Sequence, residues 1–290
     1  CAILMGTLNQ GQGHDVTFKQ LINNQLGLPL DAITLVQGDT DIIQHGRGTF
    51  GSRSAGNGGA ALHMAGERII EKGKTIAAHM LEAAEADLVF DDGTFTVAGT
   101  DRCVDLQDVA KTAYGLMALP PGIEPTLSAT AAFKPNAPTF PNGCHLCEVE
   151  IDPDTGATDF ISYVVVDDVG TVINPLLLKG QIHGGISQGL GQAMCEDLAY
   201  DPESGQLVTA SFLDYCMPRA DDMCAIEVVS QGYPSPTNPL GIKGAGEAGC
   251  VGALPCVQSA LIDALSPLGI TEIPMPATPY RLWKVMQGAR

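Results

Sequence analysis

The sequence predicts an α+β fold made of two packed lobes in which helices and strands mix. Helical and strand-like segments follow one another without the regular alternation of a doubly wound sheet. The 290 residues leave room for one large domain or two lobes. Prolines crowd the segment 115–143, which leaves little room for regular structure. We therefore predict a first lobe over 1–143 and a second lobe over 144–290.

The elements of the first lobe follow from local signals. A β-like run at 2–5 leads into a glycine loop and an amphipathic helix, which Asp15 is expected to cap and Gly27 to end. Further patterning predicts, in chain order, a strand at 33–36, one or two helices over 54–86, a hairpin over 88–97 and a helix over 106–114 that Asp105 caps.

The second lobe is expected to begin with a hairpin over 144–168. Asn174 then caps a helix that Pro175 begins and that carries several glycines, each of which costs roughly 0.8–1.0 kcal/mol against alanine. Later signals predict a hairpin around 201–205, a strand at 226–229, a helix to about residue 265 and a final helix that Thr278 caps.

Composition narrows the function classes. The chain has 33 acidic and 15 basic side chains and a net charge of −18, which repels nucleic acid phosphates, so we predict no nucleic acid partner. No apolar stretch reaches the length of a membrane helix without polar interruption, so we predict no membrane span. The nine scattered cysteines are typical of free thiols and favour the cytoplasm. Because the chain opens at Cys1 directly in a β-like run, we expect it to be a piece of something longer.

Two glycine-rich loops of the first lobe each end where a helix begins. In the loop 10–13, backbone N–H groups and the helix dipole favour an anion, and carboxamides pair with a heterocycle edge. The loop 46–56 adds hydroxyl and guanidinium groups to the same kind of helix start. Taken alone, the first loop is better explained as a plain tight turn, and the second is equally well explained as a polar surface loop.

A third glycine-rich segment, 238–249, isolates Glu247 among small residues before an apolar helix. One reading is that Glu247 only caps that helix. The other is that the glycines let a large ligand approach the backbone, which desolvates Glu247 and raises its pKa toward that of a usable base. Taken alone, the segment favours the capping reading.

These segments together resemble the molybdenum-binding subunit of the xanthine oxidase family of molybdenum hydroxylases. The blocks that carry the resemblance occur in order: Gln10 to His14, Gly48 to Ser54, Val166 to Gly170, Asn174-Pro175 with Gly180 to Gly185 and Gln188-Gly189, and Gly244 to Gly249. The histidine of the first block, the Gly-Ser-Arg-Ser run and the His-Gly-Gly run look most like the branch that contains aerobic carbon monoxide dehydrogenase large subunits.

The resemblance implies a molybdenum cofactor-binding domain of the xanthine oxidase type. Its ligand would be a molybdopterin dinucleotide with molybdenum, in the cytosine form that is usual in bacteria. The residues expected to bind it are Gln10, Gly11, Gln12, Gly13, His14, Thr49, Gly51, Ser52, Arg53, Ser54, Gln181, Lys243, Gly244 and Gly246. Glu247 would be the catalytic base beside the molybdenum, and no residue of this chain is expected to be a metal ligand.

The implied activity is oxidation of a small aldehyde, an N-heteroaromatic compound or carbon monoxide, with water as the oxygen donor. The family's first half of the subunit, its iron–sulfur cysteine spacings and its flavin domain are not in this sequence. The expected partners are therefore the N-terminal half of the molybdenum subunit, an iron–sulfur subunit and an FAD subunit, which would carry the iron–sulfur clusters and the flavin. The alternative is a chain that carries or scaffolds cofactor without its own turnover.

Overall fold

The computed structural model describes residues 1–115 and 119–289. The chain forms two compact units. Unit 1 consists of Cys1–Pro138 and Ser235–Ile242, and unit 2 consists of Thr139–Pro234 and Lys243–Arg290. Each unit mixes helices with strands and has its own buried apolar cluster, as an α+β chain requires.

Unit 1 places a parallel strand pair beside helices and a small antiparallel sheet. Its elements in chain order are β1 (Ala2–Met5), α1 (His14–Leu26), β2 (Thr34–Gln37), a π-helical turn (Ser54–Gly58), α2 (Gly59–Met80), β3 (Leu88–Asp91), β4 (Thr94–Val97), β5 (Cys103–Asp105) and α3 (Leu106–Tyr114). The β1 and β2 strands pair in parallel with Ile3 opposite Leu35, and β3, β4 and β5 form an antiparallel sheet in that order. The glycine loops of unit 1 follow β1 and precede α2.

Most of the predicted helical region 54–86 forms one α-helix, α2 (Gly59–Met80), which continues through Gly73. The π-helical turn Ser54–Gly58 precedes it, and a 3₁₀ turn at Glu85–Asp87 follows it. A Cβ atom at Gly73 would lie 2.6 Å from Cζ of the fully buried Phe95. This glycine therefore makes room for an aromatic ring rather than breaking the helix.

The predicted cap of α1 is wrong, although its predicted end is confirmed. The helix begins at His14, and Gly13 occupies the capping position with φ 78°. Asp15 lies inside the first turn, where its charge favours the helix dipole without capping an N–H group. At the other end, Gly27 adopts φ 65° and donates its N–H to the Asn23 carbonyl.

Unit 2 is a three-stranded sheet packed against helices. Its elements are β6 (Asn142–Ile151), β7 (Thr158–Asp168), α4 (Pro175–Met194), β8 (Ile226–Ser230), α5 (Ala248–Leu265) and α6 (Pro279–Ala289). The sheet order is β6-β7-β8, with β7 antiparallel to β6 and parallel to β8. The predicted Asn174 cap is confirmed, because its side chain accepts the Leu177 N–H at 3.0 Å. The hairpin predicted around 201–205 is reduced to one bridge between Tyr200 and Leu207.

The helix α5 is the apolar centre of unit 2. Within the described residues, the stretch Ala248–Leu268 is long and apolar enough to span a membrane by length and composition alone, a test that core helices also pass. Ala253, Val257 and Leu261 are fully buried in the unit 2 core, where α5 packs on α4 and β6. The helix therefore has the one-sided burial of a core helix.

Candidate functional site

The first glycine loop of unit 1 is shaped by its own side chains. Gly11 and Gly13 adopt φ 106° and 78°, which favour glycine. The Gln12 carboxamide accepts the Gln10 N–H and donates to the Leu8 carbonyl at 3.2 Å. No atom lies within 4 Å of a Cβ placed on Gly11. Gln12 thus closes the loop, while the backbone around Gly11 faces open space.

The residue that follows this loop, His14, is polar and buried. His14, the first residue of α1, is 5% exposed, and its ring lies 5.0 Å from that of Phe18. Gln37 Nε2 donates to the Thr7 hydroxyl and lies 3.4 Å from His14 Nδ1. Burial lowers the pKa of His14, against the smaller opposing effects of Gln37 and Asp15. The imidazole is therefore neutral at pH 7 and faces the core of unit 1.

The structure brings the second glycine loop beside the first. Thr49 Oγ1 accepts the Leu8 N–H at 3.0 Å and lies 2.7 Å from the Leu8 carbonyl, to which it donates. Ser54 Oγ is 2.8 Å from the same Thr49 hydroxyl. The glycines at 6 and 46 allow the two chain segments to approach, because a Cβ on Gly6 would lie 2.7 Å from Gly46 Cα. Two loops that are far apart in sequence thus form one surface of unit 1.

Arg53 is the most unusual side chain of this surface. Its guanidinium carbon lies 4.6 Å from the centre of the Phe50 ring. Its Nη1 is buried and has no hydrogen-bond partner among the described residues. The preceding Gly51 and Ser52 have φ 58° and 51°, so this turn is held in the left-handed region. A buried donor without a partner costs about 1–3 kcal/mol, which an anionic ligand would relieve.

In unit 2, glycines allow the backbones of α4 and α5 to come into direct contact. A Cβ on Gly249 would lie 2.5 Å from the Ile182 carbonyl oxygen and 2.9 Å from Ile186 N. A Cβ on Gly185 would lie 3.0 Å from Gly249 Cα. The glycines that cost α4 helix propensity therefore permit a close crossing near the first turn of α5.

Glu247 directly precedes α5 and is exposed. It occupies the N-cap position with φ −110° and ψ −6°, and its side chain makes no capping hydrogen bond to the helix. Capping of α5 by Glu247 is therefore limited to the favourable effect of its negative charge on the helix dipole. Burial raises the pKa of the Cys250 thiol, and the nearby Glu247 carboxylate adds to that rise.

An ion pair fixes the beginning of the segment that carries Glu247. Lys243 N–H donates to the Val169 carbonyl at 2.9 Å, and Lys243 Nζ contacts Asp168 Oδ2 at 2.5 Å. Asp168 Oδ1 accepts the N–H groups of Gly170 and Tyr233 at 2.9 and 2.8 Å. Burial alone would raise the pKa of Asp168, but these donors lower it to about 2.

Sequence reasoning assigned Lys243 to cofactor binding and gave Asp168 no role. The structure places the Lys243 ammonium group on Asp168. The Val-Asp-Asp-Val-Gly run contributed to the family resemblance, and this run was the signal that could have identified Asp168. Of the other predicted residues, Gln181 is half-buried on α4, Gly244 is buried and Gly246 is exposed.

Two residues after Gln181, the helix α4 carries a polar atom without a partner. His183 Nε2 is buried and has no hydrogen-bond partner within the described part of the chain. A Cβ on Gly180 or Gly184 would have no atom within 4 Å. In the described ranges 1–115 and 119–289, no group of three His, Cys, Asp or Glu side chains is arranged to hold a metal ion.

The fold and these loops define an α+β protein with glycine-lined surfaces at its helix starts. A family model described as the molybdopterin cofactor-binding domain matches residues 1–224. The chain therefore belongs to the molybdopterin cofactor-binding domain family. The predicted resemblance to the large subunit of the xanthine oxidase family is confirmed, together with its α+β fold.

The relatives are much longer than this chain. The carbon monoxide dehydrogenase large chain of Afipia carboxidovorans is 40% identical over 97% of this chain and 34% of its own length. The nicotine 6-hydroxylase large subunit of Paenarthrobacter nicotinovorans is 39% identical over 99% of this chain and 35% of its own. The crystal structure of the Cu,Mo-CO dehydrogenase superposes with a TM-score of 0.92 at 39% identity, covering 99% of this chain and 36% of that one. This chain thus spans about a third of the length of these relatives.

Proposed function

We propose that this chain is the cofactor-binding portion of a molybdenum hydroxylase. It binds a molybdopterin dinucleotide, in the cytosine form, and supplies Glu247 as the catalytic base. The observation that carries the proposal is the joined surface of unit 1, where Thr49 holds the two glycine loops together beside the unpartnered Arg53 donor. The family match supports the same cofactor.

The residues present fit such a cofactor. Its phosphates need N–H groups and positive charge, which the start of α1, the start of the π-helical turn that precedes α2 and the Arg53 guanidinium supply. Its pterin needs donors and acceptors near open backbone. Cβ atoms placed on Gly11, Gly48 and Gly51 would meet nothing within 4 Å.

The bound cofactor would supply the two-electron oxidation, and the chain's own residues would supply binding and proton transfer. The Glu247 carboxylate accepts a proton as water provides the oxygen that enters the substrate. Its small neighbours Gly246 and Ala248 leave the carboxylate accessible to a large ligand. The Arg53 and Ser54 side chains orient the cofactor in unit 1.

The proposed substrate is a small aldehyde, an N-heteroaromatic compound or carbon monoxide. The names of the relatives support this range, since one is a carbon monoxide dehydrogenase and another a nicotine hydroxylase. We further propose that the chain acts in the cytoplasm, together with the remainder of the large subunit, an iron–sulfur subunit and an FAD subunit. The relatives are named as large chains or subunits, which supports an assembly of several chains.

The test is to purify the complete complex that contains this chain and to measure molybdenum, cytidine monophosphate released by acid hydrolysis, and reduction of methylene blue. Carbon monoxide, benzaldehyde and quinoline serve as substrates. We expect one molybdenum and one cytidine monophosphate per chain, with dye reduction by at least one substrate. Molybdenum without dye reduction would favour a carrier or scaffold, and absence of both would refute the proposal.

A further inference from the structure

Two consecutive aspartates end β7 and face opposite sides of the strand, as adjacent strand residues do. Asp167 Oδ1 lies 3.8 Å from His145 Nε2, and both side chains are almost fully buried. Asp168 instead contacts Lys243. The two carboxylates therefore have separate partners, and all four residues belong to unit 2.

Asp168 fixes the beginning of the Glu247 segment. Lys243 is held twice at the end of β7, by its N–H on the Val169 carbonyl and by its ammonium group on Asp168. Asp168 is itself fixed by the N–H groups of Gly170 and Tyr233. The two N–H groups keep the Asp168 carboxylate in a fixed position. The carboxylate therefore also fixes the position of the Lys243 ammonium group.

Asp167 acts on the far end of the same segment. The His145 ring lies between Asp167 and Tyr163, whose hydroxyl is 2.7 Å from His145 Nδ1. A Cβ on Gly252 would lie 2.4 Å from His145 Nε2, so the α5 backbone rests directly on this ring. Glu247 thus lies in the chain between Lys243 and Gly252. Lys243 contacts the end of β7 directly, and Gly252 packs on His145, which lies beside Asp167 at the same strand end.

We propose that Asp168 is a positioning residue for Glu247, acting through Lys243, while Asp167 orients the helix that follows Glu247 through His145. This inference rests on the proposed role of Glu247 as the base and extends it. A base that is displaced by about 1 Å can lose on the order of 10²-fold in rate. Loss of the ion pair between Asp168 and Lys243 should therefore lower kcat more than it lowers cofactor retention.

The test uses the complete complex with Asp168→Asn, Lys243→Met and Lys243→Arg. Asp197→Asn is the matched control, because Asp197 forms a 2.9 Å ion pair with Arg281 in the same unit. We expect Asp168→Asn and Lys243→Met each to lower kcat by about 10–100-fold with little change in KM. Lys243→Arg keeps the charge and should recover most of kcat. Molybdenum content should stay at the wild-type level in all four variants.

Hydrogen exchange gives a readout that does not depend on turnover. In Asp168→Asn and Lys243→Met, the backbone amides of 243–252 should exchange at least about tenfold faster than in wild type and in Asp197→Asn. Wild-type exchange and kcat in Asp168→Asn would overturn the inference, as would loss of molybdenum in that variant. If the wild-type complex oxidises no substrate while exchange responds as expected, the proposed function fails and the positioning contact stands.

Discussion

The glycine-rich surfaces of the two units are built by different means. In unit 1, the side chains of Gln12 and Thr49 bind other parts of the loops, so that backbone groups and Arg53 are left for a ligand. In unit 2, a close helix crossing and an ion pair support one exposed carboxylate, Glu247. An anionic cofactor can be held by backbone N–H groups, whereas proton transfer needs a titratable side chain in a fixed place. The contrast predicts that the unit 1 surface governs binding and that the unit 2 segment governs chemistry.

The largest expected effect is that of Glu247→Gln in the complete complex. The amide keeps the size of the side chain but cannot accept a proton, so kcat should fall by about 10²–10⁴-fold. Dye reduction measures kcat, and elemental analysis should show unchanged molybdenum. Glu203→Gln, in an exposed turn, is the control. A kcat within a few-fold of wild type would exclude Glu247 as the base, and loss of molybdenum would make it a binding residue.

Arg53→Met should give the opposite pattern. A hydrogen bond to a charged group contributes about 1.5–3 kcal/mol, so cofactor retention should weaken by about 10–100-fold. Molybdenum and cytidine monophosphate per chain are measured after extended dialysis, with the exposed Arg102→Met as control. The fraction of enzyme that keeps its cofactor should turn over at the wild-type rate. Slow turnover of that loaded fraction would contradict the division between the units.

Gly249→Ala tests the helix crossing that supports Glu247. The added methyl group would lie 2.5 Å from the Ile182 carbonyl, and such overpacking costs about 1–3 kcal/mol. Gly184→Ala is the matched control, since its Cβ meets nothing within 4 Å and alanine favours a helix. Urea unfolding measures both free energies. Equal stability of the two variants would show that the crossing relaxes without cost.

The smallest effect concerns the buried His14. Because burial lowers its pKa in the folded state, the unfolded state binds a proton that the folded state does not as pH falls below about 6.5. Wild-type stability should therefore fall with pH, and the stability lost in His14→Gln should shrink by about 1 kcal/mol or less from pH 8 to 5. Urea unfolding at both pH values measures this. A stability gap for His14→Gln that is the same at both pH values would mean that folding does not change the proton affinity of this imidazole.

The sequence predicted those features that short-range chemistry determines. The Asn174 cap, the Gly27 helix end and the hairpin over 88–97 all depend on contacts within a few residues, and each is present. The Asp15 cap failed because the helix begins one residue before it, at His14. Local signals place a helix end only to within a residue or two.

Long-range contacts were outside the reach of the sequence. From the sequence, the glycines of α4 could be recognised only as residues that lower helix propensity. Their packing role was not visible because their partner, Gly249, lies far along the chain. Asp168 received no role, since the ion pair joins it to a residue 75 positions away. The grouping of the loops 10–13 and 46–56 was expected from the family resemblance, but the hydroxyl of Thr49 that joins them was visible only in three dimensions.

The return of Ser235–Ile242 to unit 1 limits how this protein can be divided. A Cβ on Gly59, at the start of α2, would lie 3.2 Å from Leu240 Cδ1, and Ile242 is 3% exposed. Replacing residues 1–138 alone with those of a relative would leave residues 235–242 unchanged. The apolar packing of these residues beside the start of α2 would then be mismatched. The next residue, Lys243, already belongs to the segment that carries Glu247. The two units are therefore interleaved in the amino-acid sequence. A chimera with a relative keeps this packing only if both units come from the same protein.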